Sequence, residues 1–229
     1  YKSDPDLFDE NKFGLWKFCR DEEVFNVLGG VPEGLKLSCM ADVGRCNYER
    51  DIGPRENRPF ALYRIATYIN TIPAALAMVE HCHKMGYETA VNIMAISKAT
   101  EKELSLALEL IGRSPADVIY IVDSYGSIYP EEMRVIAERY LEAGEKYGKA
   151  IGIHAHNNQE LAFANTIECT ALGVDCLDAT VSGMGRGAGN CRMELLLAFL
   201  KNPKYKLPPI LRFAEKYMLV IRQQGAVWG

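Results

Sequence analysis

The sequence predicts an α/β fold built on parallel strands, and three observations carry that prediction. Short apolar runs alternate with stretches of helical period. The runs are apolar throughout rather than polar at every second residue, as in strands covered on both faces. Successive runs begin about 25 to 32 residues apart, the length of one βα unit.

Taken in order, strands are expected at 35–42 (LKLSCMAD), 60–67 (FALYRIAT), 89–96 (TAVNIMAI), 118–124 (VIYIVDS), 150–157 (AIGIHAHN) and 176–183 (CLDATVSG). A helix is expected over 72–86, stopping at Gly86. Thr100 and Glu103 have capping-box spacing and predict the start of the next helix. Pro130 stands where a first helical residue would be and opens EEMRVIAERYLEAGEKYG. QELAFANTIECTALG (159–173) is a further helix closed by Gly173. YERDIGP (48–54) reads as loop.

Six such units leave two architectures, an open doubly wound sheet and a (β/α) barrel. A barrel ordinarily has eight units and about 250 residues. The chain opens on Tyr1 and YKSDPDLF, with no amphipathic element before it, and stops at AVWG. Residues 1–229 are therefore expected to be one barrel domain that is incomplete at its N-terminus and at its C-terminus.

Hydrophobic residues make up 48% of the chain and charged residues 24%, an ordinary globular balance. The net charge of -4 gives no electrostatic case for nucleic acid or an anionic membrane. No run is apolar enough to span a bilayer, and no signal-like segment opens the chain. Seven cysteines, none in a CxxC pair, exclude a complete disulfide framework and point to a reducing, cytoplasmic setting. Each is expected to be a small buried apolar side chain.

In either architecture ligands bind at the carboxyl ends of the strands. Polar residues collect there: Asp42, Lys98, Asp123, Ser124, His154, His156, Asn157 and Ser182, with Arg64 and Asn92 facing the same mouth. His154 and His156 are at i and i+2 of a strand, so both imidazoles leave on one face, beside Gly152. They are either a pair of metal ligands or a pair of hydrogen-bonded core histidines. His81 and His83 repeat the HxH spelling on a helix, where successive residues turn by about 100° and the two rings diverge. These are expected to be solvated surface residues. SGMGRGAGN (182–190) has glycine at 183, 185, 187 and 189, which permits positive φ and close backbone approach. Such a turn can cradle an anion, bring an asparagine to a metal, or serve only as a turn. It is not the dinucleotide fingerprint GxGxxG with a distant acid.

Two motifs then act together. GIHAHNNQELAFANT, followed by LDATVSGMGRGAGN, closely resembles the metal-dependent aldolase and lyase superfamily. That superfamily includes hydroxymethylglutaryl-CoA lyase, the isopropylmalate and homocitrate synthases, and 4-hydroxy-2-oxovalerate aldolase. LYRIAT, VNIMAIS and IVDSYGS occur upstream in the matching order, and the spelling is most similar to the 4-hydroxy-2-oxovalerate aldolase branch. The likeness runs from about residue 35 onward.

The resemblance implies a (β/α)8 barrel whose strands three to eight are the six found here, with YKS as the tail of strand two. It implies that His154, His156 and Asn190 are ligands of a divalent metal, Mn²⁺ or Mg²⁺ first, with Zn²⁺ or Co²⁺ as further candidates. It implies that Ser124 holds the substrate carboxylate, with Asp123 beside it on the substrate side supporting that strand end. The implied activity is aldol cleavage of a 2-oxo acid, such as a 4-hydroxy-2-oxo acid, through an enolate. The implied partner is that small molecule, with no nucleic acid and no membrane, and homo-oligomerisation is left open. The family's first strand carries an Arg-Asp-Gly signature that supplies a metal-binding Asp and a carbonyl-polarising Arg. No such motif occurs in these residues, so the resemblance implies a preceding segment. Two alternatives remain open. One is an acyl-CoA condensing synthase, a class that usually carries Thr where Ser124 stands. The other is a non-catalytic barrel remnant with an incomplete metal site.

Overall fold

The computed structural model describes residues 1–228. Its sheet has six strands in chain order: β1 (Ser38–Asp42), β2 (Leu62–Tyr68), β3 (Glu88–Met94), β4 (Val118–Asp123), β5 (Ala150–Ala155) and β6 (Cys176–Leu177). β1 pairs with β2, β2 with β3 and β5 with β6, each in parallel. The helices are α1 (Asp21–Leu28), α2 (Tyr48–Asp51), α3 (Ile72–Lys84), α4 (Glu101–Gly112), α5 (Pro130–Tyr147), α6 (Ala162–Leu172), α7 (Met193–Phe199), α8 (Leu207–Phe213) and α9 (Leu219–Gln223).

The chain divides into two compact units. The first holds residues 1–94, 99–120 and 143–149. Its core centres on β2 and β3, where Tyr63, Ile65, Ala90, Val91 and Ile93 are wholly buried. Val79 and Cys82 of α3 are also wholly buried. A fully buried aliphatic side chain contributes about 2 kcal/mol, so this β2–β3–α3 layer is the stable floor of the unit. Tyr63 and Tyr87 add an edge-to-face pair at 4.8 Å. At the start of the chain, the Lys2 N–H donates to Met40 O of β1 at 2.7 Å, although residues 1–3 carry no strand of their own.

The second unit holds residues 95–98, 121–142 and 150 onward. Ile151 and Ile153 of β5 are buried, as are Met133, Ala137 and Tyr140 of α5 and Ala162 and Cys169 of α6. Gly173 ends α6 at φ 97°, with its N–H turned back to Cys169 O and Thr170 O.

The expected strands are all present, with shifted ends. β3 stops at Met94 because Ala95 takes φ 54°, a left-handed conformation that cannot continue a strand, and a 3₁₀ turn follows over Ile96–Lys98. β6 is only two residues long: Asp178 leaves the ladder and Ser182 turns to φ 55°. The expected capping box is formed, with Thr100 Oγ1 accepting from Glu103 N and Glu103 accepting from Thr100 N. α5 begins at Pro130, as its spacing predicts. Residues 48–51, expected as loop, form a short helix because Asn47 Oδ1 accepts the Arg50 N–H at its start. α1 and α7 to α9 were not anticipated from the sequence pattern.

Among the described residues no helix is long and apolar enough to cross a membrane. None of the seven cysteines is in a disulfide; Cys46 and Cys176 are half-buried and the other five are buried.

Candidate metal and substrate site

The candidate metal ligands and the Asp123–Ser124 pair lie in the second unit, at the carboxyl ends of β4, β5 and β6. His154 of β5 and His156, just past its end, share one face, as strand parity predicts, with ring centroids 5.2 Å apart and planes at 69°. His154 Nδ1 is 2.8 Å from Asp178 Oδ2, just past β6. The carboxylate fixes Nδ1 as the protonated nitrogen and leaves the Nε2 lone pair to bind a ligand. Burial, then the neighbouring His154 and Arg186, push the His156 pKa down to about 4. His156 is thus neutral at pH 7, the form that ligates metal.

The glycine-rich segment brings Asn190 beside them. His156 and Asn190 form an isolated antiparallel bridge, and Asn157 N–H donates to Gly189 O at 2.9 Å. The turn closes on itself through Asn190 N–H to Gly183 O at 3.0 Å. Gly189 has φ 83°, and a Cβ there would sit 2.2 Å from Gly183 O, so only glycine fits. The Asn190 amide nitrogen donates to Met184 O at 3.1 Å, which leaves Oδ1 as the free acceptor. That oxygen is buried without a hydrogen-bond partner. A buried orphan acceptor costs about 1–3 kcal/mol unless something satisfies it. Glu194 holds the start of the segment, accepting from Ser182 N at 2.7 and 3.0 Å. The Trp228 indole N–H caps Ser182 O at 2.9 Å.

β4 ends in Asp123 and continues into Ser124. Asp123 is wholly buried, and its carboxylate accepts the backbone N–H groups of Ser127 (3.3 Å) and Ile128 (3.2 Å). Burial raises its pKa, and these backbone bonds oppose the rise. Asn165 of α6 grips the same loop from the other side, donating to Ile128 O at 2.8 Å. Gly126 packs so closely on the segment after β5 that a Cβ would meet His156 O and Asn158 N at 2.6 Å. Asp123 is therefore engaged in shaping the loop, while the Ser124 hydroxyl accepts the Ala95 N–H at 2.9 Å and keeps its proton for another acceptor.

In the first unit, Arg64 Nε donates to Asn92 Oδ1 at 3.5 Å and its guanidinium lies 4.1 Å from the Tyr120 ring centroid. These two mouth-facing residues do meet. His83 is exposed, as expected of a surface histidine. His81 is a correction: it is half-buried, with Nε2 2.7 Å from Ile52 O, because Tyr48 of α2 packs against its ring. No sequence motif singles out Asp178 or Asn165. Their partners are 24 and 37 residues away, and no local pattern marks such pairs.

Among the described residues no three or more His, Cys, Asp or Glu side chains are grouped to hold a metal. The donor set at this edge is two imidazoles and one amide oxygen. Two imidazole nitrogens with an orphan carbonyl-type oxygen fit a divalent cation of intermediate hardness.

A parallel α/β sheet whose carboxyl edge carries such donors is the ligand-binding plan of α/β enzymes. The chain belongs to the HMGL-like family, whose model matches residues 66–215. That membership selects the (β/α)-barrel fold expected from the sequence over the open doubly wound sheet. The chain is 30% identical over 189 residues to a 4-hydroxy-2-oxovalerate aldolase of Pelotomaculum thermopropionicum, covering 82% of this chain and 54% of that protein. It is 33% identical over 182 residues to an oxaloacetate decarboxylase of Mycobacterium tuberculosis, covering 79% of this chain and 52% of that protein. The chain thus spans about half the length of the curated relatives it matches. Among solved structures it resembles the N-terminal domain of a protein assigned as an aldolase from Bacteroides vulgatus. The TM-score is 0.67 and the identity 28%, over 86% of this chain and 66% of that one. The carboxyl transferase domain of Rhizobium etli pyruvate carboxylase shares the fold alone, with TM-score 0.70 at 17% identity over 85% of this chain and 36% of that one.

Proposed function

We propose that the intact protein is a divalent-metal-dependent lyase that cleaves a C–C bond of a 2-oxo acid, such as a 4-hydroxy-2-oxo acid. The observation that carries this reading is the convergence of His154, His156 and the orphan Oδ1 of Asn190 at one strand edge. A divalent cation held by them supplies Lewis-acid polarisation of a substrate oxygen. Mn²⁺ or Mg²⁺ is the cation this reading favours.

The chain's own residues do the rest. Asp178 keeps His154 in the ligating tautomer, and burial keeps His156 unprotonated. The free Ser124 proton is offered to the carboxylate of the substrate. Asp123 and Asn165 hold the loop that carries Ser124 against β5, fixing the spacing between the carboxylate and carbonyl ends of the substrate. Seven cysteines outside any disulfide suit a reducing cytoplasmic setting.

The activities for which the relatives are named choose the assay. The intact protein with Mn²⁺ is offered 4-hydroxy-2-oxovalerate and, separately, oxaloacetate, and pyruvate release is measured. Release from at least one, abolished by a chelator, is expected. Absence of release from both with Mn²⁺, Mg²⁺, Co²⁺ and Zn²⁺ overturns the proposal.

A further inference from the structure

We propose that Lys98 is a substrate-positioning residue, an ammonium that shares the carboxylate of a 2-oxo acid with the Ser124 hydroxyl; this rests on the 2-oxo acid reading above. Lys98 ends the 3₁₀ turn that follows β3 and is exposed to solvent. Three contacts place it beside Ser124. Ala95 N–H donates to Ser124 Oγ at 2.9 Å. Lys98 N–H donates to Ala95 O at 2.9 Å, closing the turn. The Lys98 ammonium stands 5.7 Å from the ring centroid of Tyr125, the residue after Ser124. The turn and the Ser124–Tyr125 loop belong to the same compact unit.

The turn is held at a cost. Ala95 has φ 54°, a conformation that costs a non-glycine residue about 1–2 kcal/mol. It persists because the Ser124 hydroxyl takes its N–H. Ala95 opens the turn over Ile96–Lys98, whose last residue is Lys98.

The donor balance then identifies the ligand. Ser124 Oγ is occupied as an acceptor, so its O–H is left to donate. Among the described residues the Lys98 ammonium has neither an ion-pair partner nor a hydrogen-bond acceptor, only the Tyr125 face. A hydroxyl proton and a cation, both lacking acceptors and tied to one turn, suit an anion. A planar carboxylate offers one oxygen to each. The Tyr125 ring keeps the ammonium near the loop when no anion is there.

The test uses the intact protein loaded with Mn²⁺, with pyruvate and its uncharged analogue pyruvamide as probes in calorimetric titrations. Lys98→Met should weaken pyruvate binding about tenfold, with pyruvamide and Mn²⁺ affinities unchanged. Lys98→Arg should stay within about threefold of wild type, because the cation is kept. Equal loss for pyruvate and pyruvamide in Lys98→Met would mark a merely structural effect and overturn the inference. So would unchanged pyruvate binding. If wild type binds Mn²⁺ but no pyruvate, the lyase reading falls and this inference falls with it. If wild type binds pyruvate and Lys98→Met binds it as well, only the Lys98 inference falls.

Discussion

His154 Nδ1 and Asp178 Oδ2 meet at 2.8 Å across 24 residues of sequence, so the carboxylate after β6 sets the tautomer of an imidazole on β5. Removing the carboxylate while keeping the shape isolates that effect. Asp178→Asn should weaken divalent-metal affinity about 10- to 100-fold, the usual scale for such supporting partners. Mn²⁺ titration measures it, and an unchanged affinity would show that the pair is only structural.

Asn190 gives a second, independent handle. Its Oδ1 is a buried orphan, so Asn190→Ala should remove one donor to the cation and relieve an unsatisfied acceptor at once. The lost Nδ2 bond to Met184 O offsets that relief by about 1 kcal/mol. Metal affinity should fall while thermal stability of the metal-free protein stays nearly level. A large drop in the metal-free melting temperature would instead mark Asn190 as a structural brace.

Gly189 tests whether the segment's backbone, rather than its composition, carries Asn190. An alanine Cβ there would lie 2.2 Å from Gly183 O at φ 83°. Gly189→Ala should destabilise the protein by about 3 kcal/mol from strain and overlap together. Gly187→Ala is the control, since nothing lies within 4 Å of its Cβ and only its positive φ of 61° opposes the change. Chemical denaturation of both variants should rank them in that order.

The capping box of α4 predicts a pH dependence. Hydrogen bonds from Thr100 lower the Glu103 pKa below its usual value. A carboxyl depressed in the folded state adds stability above its unfolded pKa, and that contribution is lost as pH falls through the folded value. Thr100→Ala should cost about 1 kcal/mol at pH 7 and progressively less as Glu103 protonates at lower pH. A constant difference between pH 7 and pH 3 would show that the carboxylate plays no part.

Much of this was legible in the sequence because it is local. The parity of His154 and His156, the Thr100–Glu103 spacing and the Pro130 start depend on residues within one element. What was not legible depends on distant partners or on backbone strain. β6 was expected to run through 183, but the Asp178 side chain goes to His154 and Ser182 turns left-handed, so the ladder ends at Leu177. The expected continuation of β3 through Ile96 fails at Ala95, whose φ is stabilised by a hydroxyl 29 residues away. Asp123 is expected beside Ser124 as a support of the strand end, but its partners cannot be named from the sequence. Its carboxylate receives the amides of Ser127 and Ile128, a role visible only once the loop is folded.

The central claim is that His154, His156 and Asn190 bind a divalent cation, and calorimetric titration of Mn²⁺ into the intact, metal-stripped protein tests it most directly. Wild type should take up one equivalent saturably, and His154→Ala should lose at least a hundredfold in affinity while keeping its fold by circular dichroism. No uptake by wild type, or equal uptake by folded His154→Ala, would contradict it.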